Sequence, residues 1–160
     1  MIHPIRIRDV EIGSGVPKII VPIVGKTSEA ILAKAAEIAR MPIHMVEWRV
    51  DFYEDVFDVA KTLATLAQLR SALGALPLLF TFRTQKEGGE KAISMEQYTA
   101  LNLAVAASGN VDFIDVEIFS GDAVVKKNIE GIHAAGVRVV GSNHDFFATP
   151  QKEEIVSRLR

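Results

Sequence analysis

Five short apolar or β-branched runs, each followed by residues with helical apolar spacing, place the strongest constraint on this chain. Strands that alternate with helices over short connections imply a parallel sheet with right-handed crossovers. Residues 18–24 form the first run, and residues 28–40 repeat Ala, Ile and Leu at helical spacing. Residues 45–50 predict a second strand and residues 55–73 a long helix, closed by Gly74, a residue suited to left-handed backbone at helix ends. The third strand spans 76–82, and a polar, Gly-rich loop follows at 84–91. Ser94 with Gln97 matches a capping box and opens a helix to Ser108. Residues 111–118, 122–135 and 137–141 add a strand, a helix and the fifth strand. Thr149-Pro150 then predicts the N-cap and first residue of a last helix that runs to the end of the chain. Ahead of the series, Ile5-Arg6-Ile7 and Val10-Glu11-Ile12 alternate around Arg8-Asp9, predicting a hairpin placed to cover the N-terminal end of a barrel.

The 160 residues suffice for one cored domain, and no linker or low-complexity tract divides them. They fall short of the roughly 250 residues typical of a closed eight-stranded βα-barrel. Lys plus Arg number 18 against 20 Asp plus Glu, and no basic face is built, so neither nucleic acid nor an anionic membrane is expected as a partner. Charges interrupt the apolar runs before the 18 or so residues that a membrane span needs, and the start lacks an apolar signal segment; the expected location is the cytoplasm. The absence of Cys removes thiol nucleophiles, disulfides and Cys-type metal sites.

Active sites of βα-architectures lie where the strands end. Residues two apart on a strand share a face. Counting by twos, successive strands present Glu47 with Arg49, Thr81 with Arg83, Asp115 with Glu117, and Ser142 with His144 at one concave end. His144, between Asn143 and Asp145, is the best acid/base candidate, since an unperturbed imidazole titrates near neutrality. A local strand-capping role competes with that one. An acid, two arginines and a His suit a small polyhydroxylated anion: Arg supplies forked donors, Glu accepts from hydroxyls and His moves protons. A purely structural ion network among Glu47, Arg49, Arg83 and Glu117 is the competing reading, because buried charges are costly unless paired.

Four motifs in order carry a resemblance across essentially the whole chain. Glu47-Trp48-Arg49-Val50-Asp51, the run from Phe80 to Gly89, Asp115-Val116-Glu117, and Ser142-Asn143-His144-Asp145-Phe146 resemble those of type I 3-dehydroquinate dehydratase. The resemblance implies a (β/α)8 TIM barrel, of which this chain holds about the first five βα units and the hairpin. It implies a lyase of the shikimate pathway, in aromatic amino acid biosynthesis, that converts 3-dehydroquinate to 3-dehydroshikimate as a cytoplasmic homodimer. No metal or organic cofactor is implied. The substrate ketone is held as a Schiff base on a barrel Lys while a His transfers protons. By the same resemblance His144 is the general acid/base and Glu87 its orienting carboxylate. Glu47, Trp48, Arg49 and Arg83 hold substrate, although Trp48, next to the inward pair, also suits packing against a helix. Pro22 stands where relatives often carry a Ser near the substrate, which removes a hydroxyl and an N–H.

The resemblance places the imine-forming Lys on a sixth strand, and none of the nine lysines here matches it. A polypeptide ending at Arg160 is therefore expected to be an incomplete barrel with open edges, inactive alone. Two further readings stay open: a divalent metal held by Asp115, Glu117 and His144 in another barrel lyase, and a non-catalytic fragment that complements another chain or self-associates.

Overall fold

The computed structural model describes residues 3–159; Met1, Ile2 and Arg160, the last residue of the expected final helix, lie outside them. A hairpin, β1 (Ile5–Ile7) and β2 (Val10–Ile12), precedes β3 (Ile20–Ile23), α1 (Ser28–Ile38), β4 (Met45–Arg49), α2 (Val59–Leu73) and β5 (Leu78–Thr81). The series continues through α3 (Met95–Ala107), β6 (Phe113–Glu117), α4 (Asp122–Ala134), β7 (Arg138–Ser142) and α5 (Lys152–Arg158). Side-chain caps decide most of the helix starts. The Thr27 side chain accepts from Ala30 N, and Ser94 with Gln97 forms the expected capping box. The second helix begins at Val59, four residues later than its expected start. Asp58 is its cap and accepts from Lys61 N, while residues 55–58 turn back on themselves. The last helix opens at Lys152 after Gln151, not at Pro150, and Gln151 gives no side-chain cap.

The five long strands are all parallel and lie in chain order, β3-β4-β5-β6-β7. With crossovers of one hand, that order sends the four connecting helices, α1 to α4, to the same face of the sheet. Val46, Trp48, Phe80, Ile114 and Val116 point into the helical layer and meet Ile31, Leu66, Leu69, Tyr98 and Ile132 in one continuous core. On the opposite face, at the strands' N-terminal ends, Met45, Leu79 and Phe113 are covered by Ile5, Ile7 and Ile12 of the hairpin. The hairpin therefore sits where the sequence places it. Arg8 at its turn, with φ 53°, reaches Asp112 Oδ1 at 2.7 Å. The other Asp112 oxygen takes Arg70 Nη1 at 3.2 Å and Leu78 N at 2.9 Å, tying hairpin, α2 and β5 together. The sheet is open: β3 and β7 each pair with a single strand among the described residues.

Candidate active site

The concave face changes character along the strands, from apolar under the hairpin to charged at the C-terminal ends. Register sets Pro22 beside Glu47 and Glu47 beside Leu79, with Arg49 beside Thr81 one step further. Trp48 lies between the two inward residues in sequence and so points the other way. It is wholly buried, 5.9 Å from Tyr53 and 5.7 Å from Phe80 between ring centroids. The strand's two-residue period thus removes Trp48 from the expected substrate-binding set and makes it core.

Arg83 is the hub. Its Nη1 donates to Glu117 Oε1 at 3.0 Å and to Ser142 Oγ at 3.0 Å, and its Nη2 lies 3.1 Å from Asp115 Oδ2. Glu87 Oε2 stands 3.5 Å from Nη1. Ser142 Oγ donates in turn to Asp115 Oδ2 at 2.9 Å. Glu117 also receives Thr84 N at 2.8 Å on Oε1 and Thr84 Oγ1 at 2.7 Å on Oε2. Arg83, Asp115 and Glu117 are all buried. Three carboxylates around one guanidinium leave excess negative charge in a low-dielectric setting. Burial pushes the Asp115 carboxyl above the usual carboxylate range, against the pull of Arg83 and the Ser142 hydrogen bond.

Glu87 links this network to His144. One carboxylate oxygen, Oε2, accepts from His144 N at 3.0 Å and faces His144 Nδ1 at 3.0 Å. A carboxylate can only accept, so the tautomer that suits this contact carries its proton on Nδ1 and presents Nε2 as the acceptor. The imidazole is more than a third exposed, while Glu87 is buried behind it. A ring held at one nitrogen and open to solvent elsewhere has the geometry that proton transfer requires.

The loop carrying Glu87 is fixed from both flanks. Gly89 N donates to Thr84 O at 2.8 Å, and a Cβ on Gly89 would overlap the Arg83 carbonyl, so only glycine permits this reversal. On the far flank Lys91 Nζ donates to Asp51 O at 2.6 Å and Tyr53 O at 2.8 Å. Asp51 is wholly buried and accepts from Arg49 Nε at 2.9 Å, Arg49 Nη2 at 3.0 Å and Glu90 N at 3.2 Å. The Asp51 hydrogen bonds hold the Arg49 guanidinium above its ordinary pKa, against its partial burial, and its plane lies 5.3 Å from the Phe52 ring centroid.

The expected residues therefore do not form a single network. Glu87, His144 and Arg83 join one network; Arg49 belongs to a second pair with Asp51; Glu47 is half-buried and makes no ion pair among the described residues. The competing reading, an ion network among Glu47, Arg49, Arg83 and Glu117, holds for Arg83 with Glu117 alone and is otherwise corrected, because Arg49 reaches Asp51 two residues on. The sequence reading also set a ligand as Arg83's partner, whereas protein carboxylates occupy that position. Among the described residues no three His, Asp or Glu side chains converge as a metal-ligand set, and Asp115 and Glu117 are engaged by Arg83, Ser142 and Thr84. Asp51, Lys91 and Thr84 were missed as site residues. An acid two residues beyond an inward Arg was the one available signal.

The family model described as type I 3-dehydroquinase matches residues 19–160. A 3-dehydroquinate dehydratase of Clostridium botulinum (strain Eklund 17B / Type B) is 53% identical over 155 residues, covering 97% of this chain and 61% of the relative. That of Listeria monocytogenes serovar 1/2a is 50% identical over 157 residues, covering 98% and 62%. Among solved structures, the type I 3-dehydroquinate dehydratase of Clostridium difficile, with covalent modified comenic acid, has a TM-score of 0.97 and 46% identity over 99% of this chain and 63% of that one. The chain thus spans about three-fifths of the length of the relatives it matches. With its five parallel strands, its hairpin and the family model agreeing over nearly its whole length, the chain belongs to the type I 3-dehydroquinase family.

Proposed function

We propose that the intact gene product dehydrates 3-dehydroquinate to 3-dehydroshikimate, in the shikimate pathway that leads to aromatic amino acids. The observation that carries this reading is the His144–Glu87 pair at the mouth of the sheet, with its imidazole exposed and its carboxylate anchored behind it. The substrate ketone condenses with a Lys to a cationic imine. That imine is an electron sink, so the neighbouring C–H is acidified and a base of ordinary strength suffices. His144 Nε2 takes the C2 proton, and the hydroxyl leaves as water with a proton returned by the same ring. Glu87 keeps Nδ1 protonated and the ring in place. Glu47 and Arg49, both half-buried on the concave face, hold substrate hydroxyls, and Arg83 fixes the carboxylates around them. Support comes also from the Clostridium difficile relative, whose structure carries a covalently modified ligand.

The imine-forming Lys is read as lying outside residues 1–160. Lys91, the lysine drawn deepest into the loop that carries Glu87, spends its ammonium on the Asp51 and Tyr53 carbonyls. The same reading completes the open sheet to an eight-stranded barrel and makes the intact protein a cytoplasmic homodimer. Borohydride reduction with 3-dehydroquinate, followed by intact-mass measurement, tests it. The intact gene product is expected to gain one substrate adduct and to generate the conjugated enone of the product. A polypeptide of residues 1–160 is expected to gain none. A stoichiometric adduct on any of its nine lysines would overturn the assignment.

A further inference from the structure

Strands β5 and β6 pair only through Leu79–Phe113 and Phe80–Ile114, while β6 continues alongside β7 as far as Glu117–Ser142. Ile118 N donates to Ser142 O at 3.0 Å and Arg138 N to Asp112 O at 3.0 Å, so the even-numbered backbone groups of β6 face β7. The odd-numbered groups, Asp115 C=O and Glu117 N–H, consequently face the β5 side. In a continuous parallel ladder both would bond to a single residue of the neighbouring strand. Here one phenol takes both: Tyr98 OH donates to Asp115 O at 3.2 Å and accepts from Glu117 N at 3.2 Å. Tyr98 projects from α3, is wholly buried, and burial pushes its hydroxyl well above the usual phenol range, so it stays a donor.

The parting of the strands is where the network is built. Beyond Thr81 the chain bonds to the side chain of Glu117 through Thr84 N and Oγ1, and Arg83 meets Asp115 and Glu117 from the same segment. We propose that Tyr98 is a positioning residue: its hydroxyl satisfies the β6 backbone that β5 abandons. It thereby holds the strand ends apart at the spacing Arg83 needs to reach its carboxylates and keep Glu87 against His144. This deepens the proposed function and rests on it for the catalytic consequence. Without the hydroxyl, two buried backbone groups lose their partner, and the cheapest repair is for β5 to zip further along β6. That repair moves Arg83 and the loop carrying Glu87 together.

The test uses the intact gene product with two variants, Tyr98→Phe and Leu101→Ala, the second a buried apolar residue of the same helix whose side chain has no hydrogen-bonding group to give the network. In the wild type the Glu117 amide is expected to be strongly protected from hydrogen exchange, and exchange at the rate of a free amide would overturn the proposal before any variant is made. In Tyr98→Phe the His144 Nδ1 nitrogen resonance is expected to move, and kcat to fall about tenfold at unchanged KM, as for loss of one buried hydrogen-bonding group. Leu101→Ala is expected to lower the melting temperature at least as much while leaving both readouts at wild-type values. If Tyr98→Phe keeps the wild-type resonance and kcat, or if Leu101→Ala moves them equally, Tyr98 only packs. A wild type with no dehydratase turnover would overturn the proposed function alone, and the resonance and exchange measurements would still decide the role of Tyr98.

Discussion

Arg83→Ala is the perturbation with the largest expected consequence for the fold. It deletes ion pairs at 3.0, 3.1 and 3.5 Å from one buried guanidinium and strands Asp115 and Glu117, which are 3% and 1% exposed. Breaking a buried pair by removing one partner costs about 3–5 kcal/mol, against a total of about 5–15 kcal/mol for a typical domain. The cost is expected to depend on pH, and the sign follows from Asp115. Its folded-state pKa is raised, chiefly by burial, so it contributes stability that is present below the ordinary carboxylate range and is lost as pH rises through the raised value. Arg83 pulls that value down; without it the value climbs and the loss deepens toward neutrality. Urea unfolding followed by circular dichroism at pH 5 and pH 7 should therefore show a smaller penalty at the lower pH. Asp115→Asn added to Arg83→Ala is expected to recover stability at pH 7 and flatten the difference. A penalty below about 1 kcal/mol, the size of an exposed ion pair, or one equal at both pH values, would refute the buried network as described.

In the intact gene product, His144→Ala is expected to lower turnover by about 10²–10⁴-fold while the fold and most of the substrate affinity remain, which steady-state kinetics and calorimetric binding check together. Asp51→Asn exchanges a charge-assisted fork for neutral hydrogen bonds on Arg49. It is expected to raise KM about tenfold with kcat little changed, and an unchanged KM would show that Arg49 needs no such anchor.

The fold was legible because its signals are local. Each capping residue, from Thr27 to Ser94, and each β-branched run acts within a few positions of itself, and five βα units in chain order leave little freedom of topology. The second helix shows the limit of such reading: Asp55 and Asp58 are both competent N-caps, and helical spacing cannot choose between them. The site was legible by face but not by partner. Counting by twos put Glu47, Arg49, Arg83, Asp115, Glu117, Ser142 and His144 toward one mouth, and the structure places them there. Which carboxylate meets which cation is settled across 34 residues for Arg83 and Glu117 and across 57 for Glu87 and His144. No periodicity spans such gaps.

The same limit explains why Thr84, Lys91 and Tyr98 escaped notice. Each serves the site through backbone or through another residue's carboxylate, so none advertises itself by an inward-facing charge at a strand end. Lys91 is the sharpest case. As a free cation beside a Gly-rich loop it suggests substrate contact, yet its ammonium caps two carbonyls on the far side of that loop. With Lys91 and Asp51 gripping one flank and Arg83 and His144 the other, Glu87 has little room to drift. An imidazole can be oriented by a carboxylate only if the carboxylate is itself held. In this chain that task falls to residues from three different strand-to-helix connections, a distribution that a linear reading sees as scattered polar side chains.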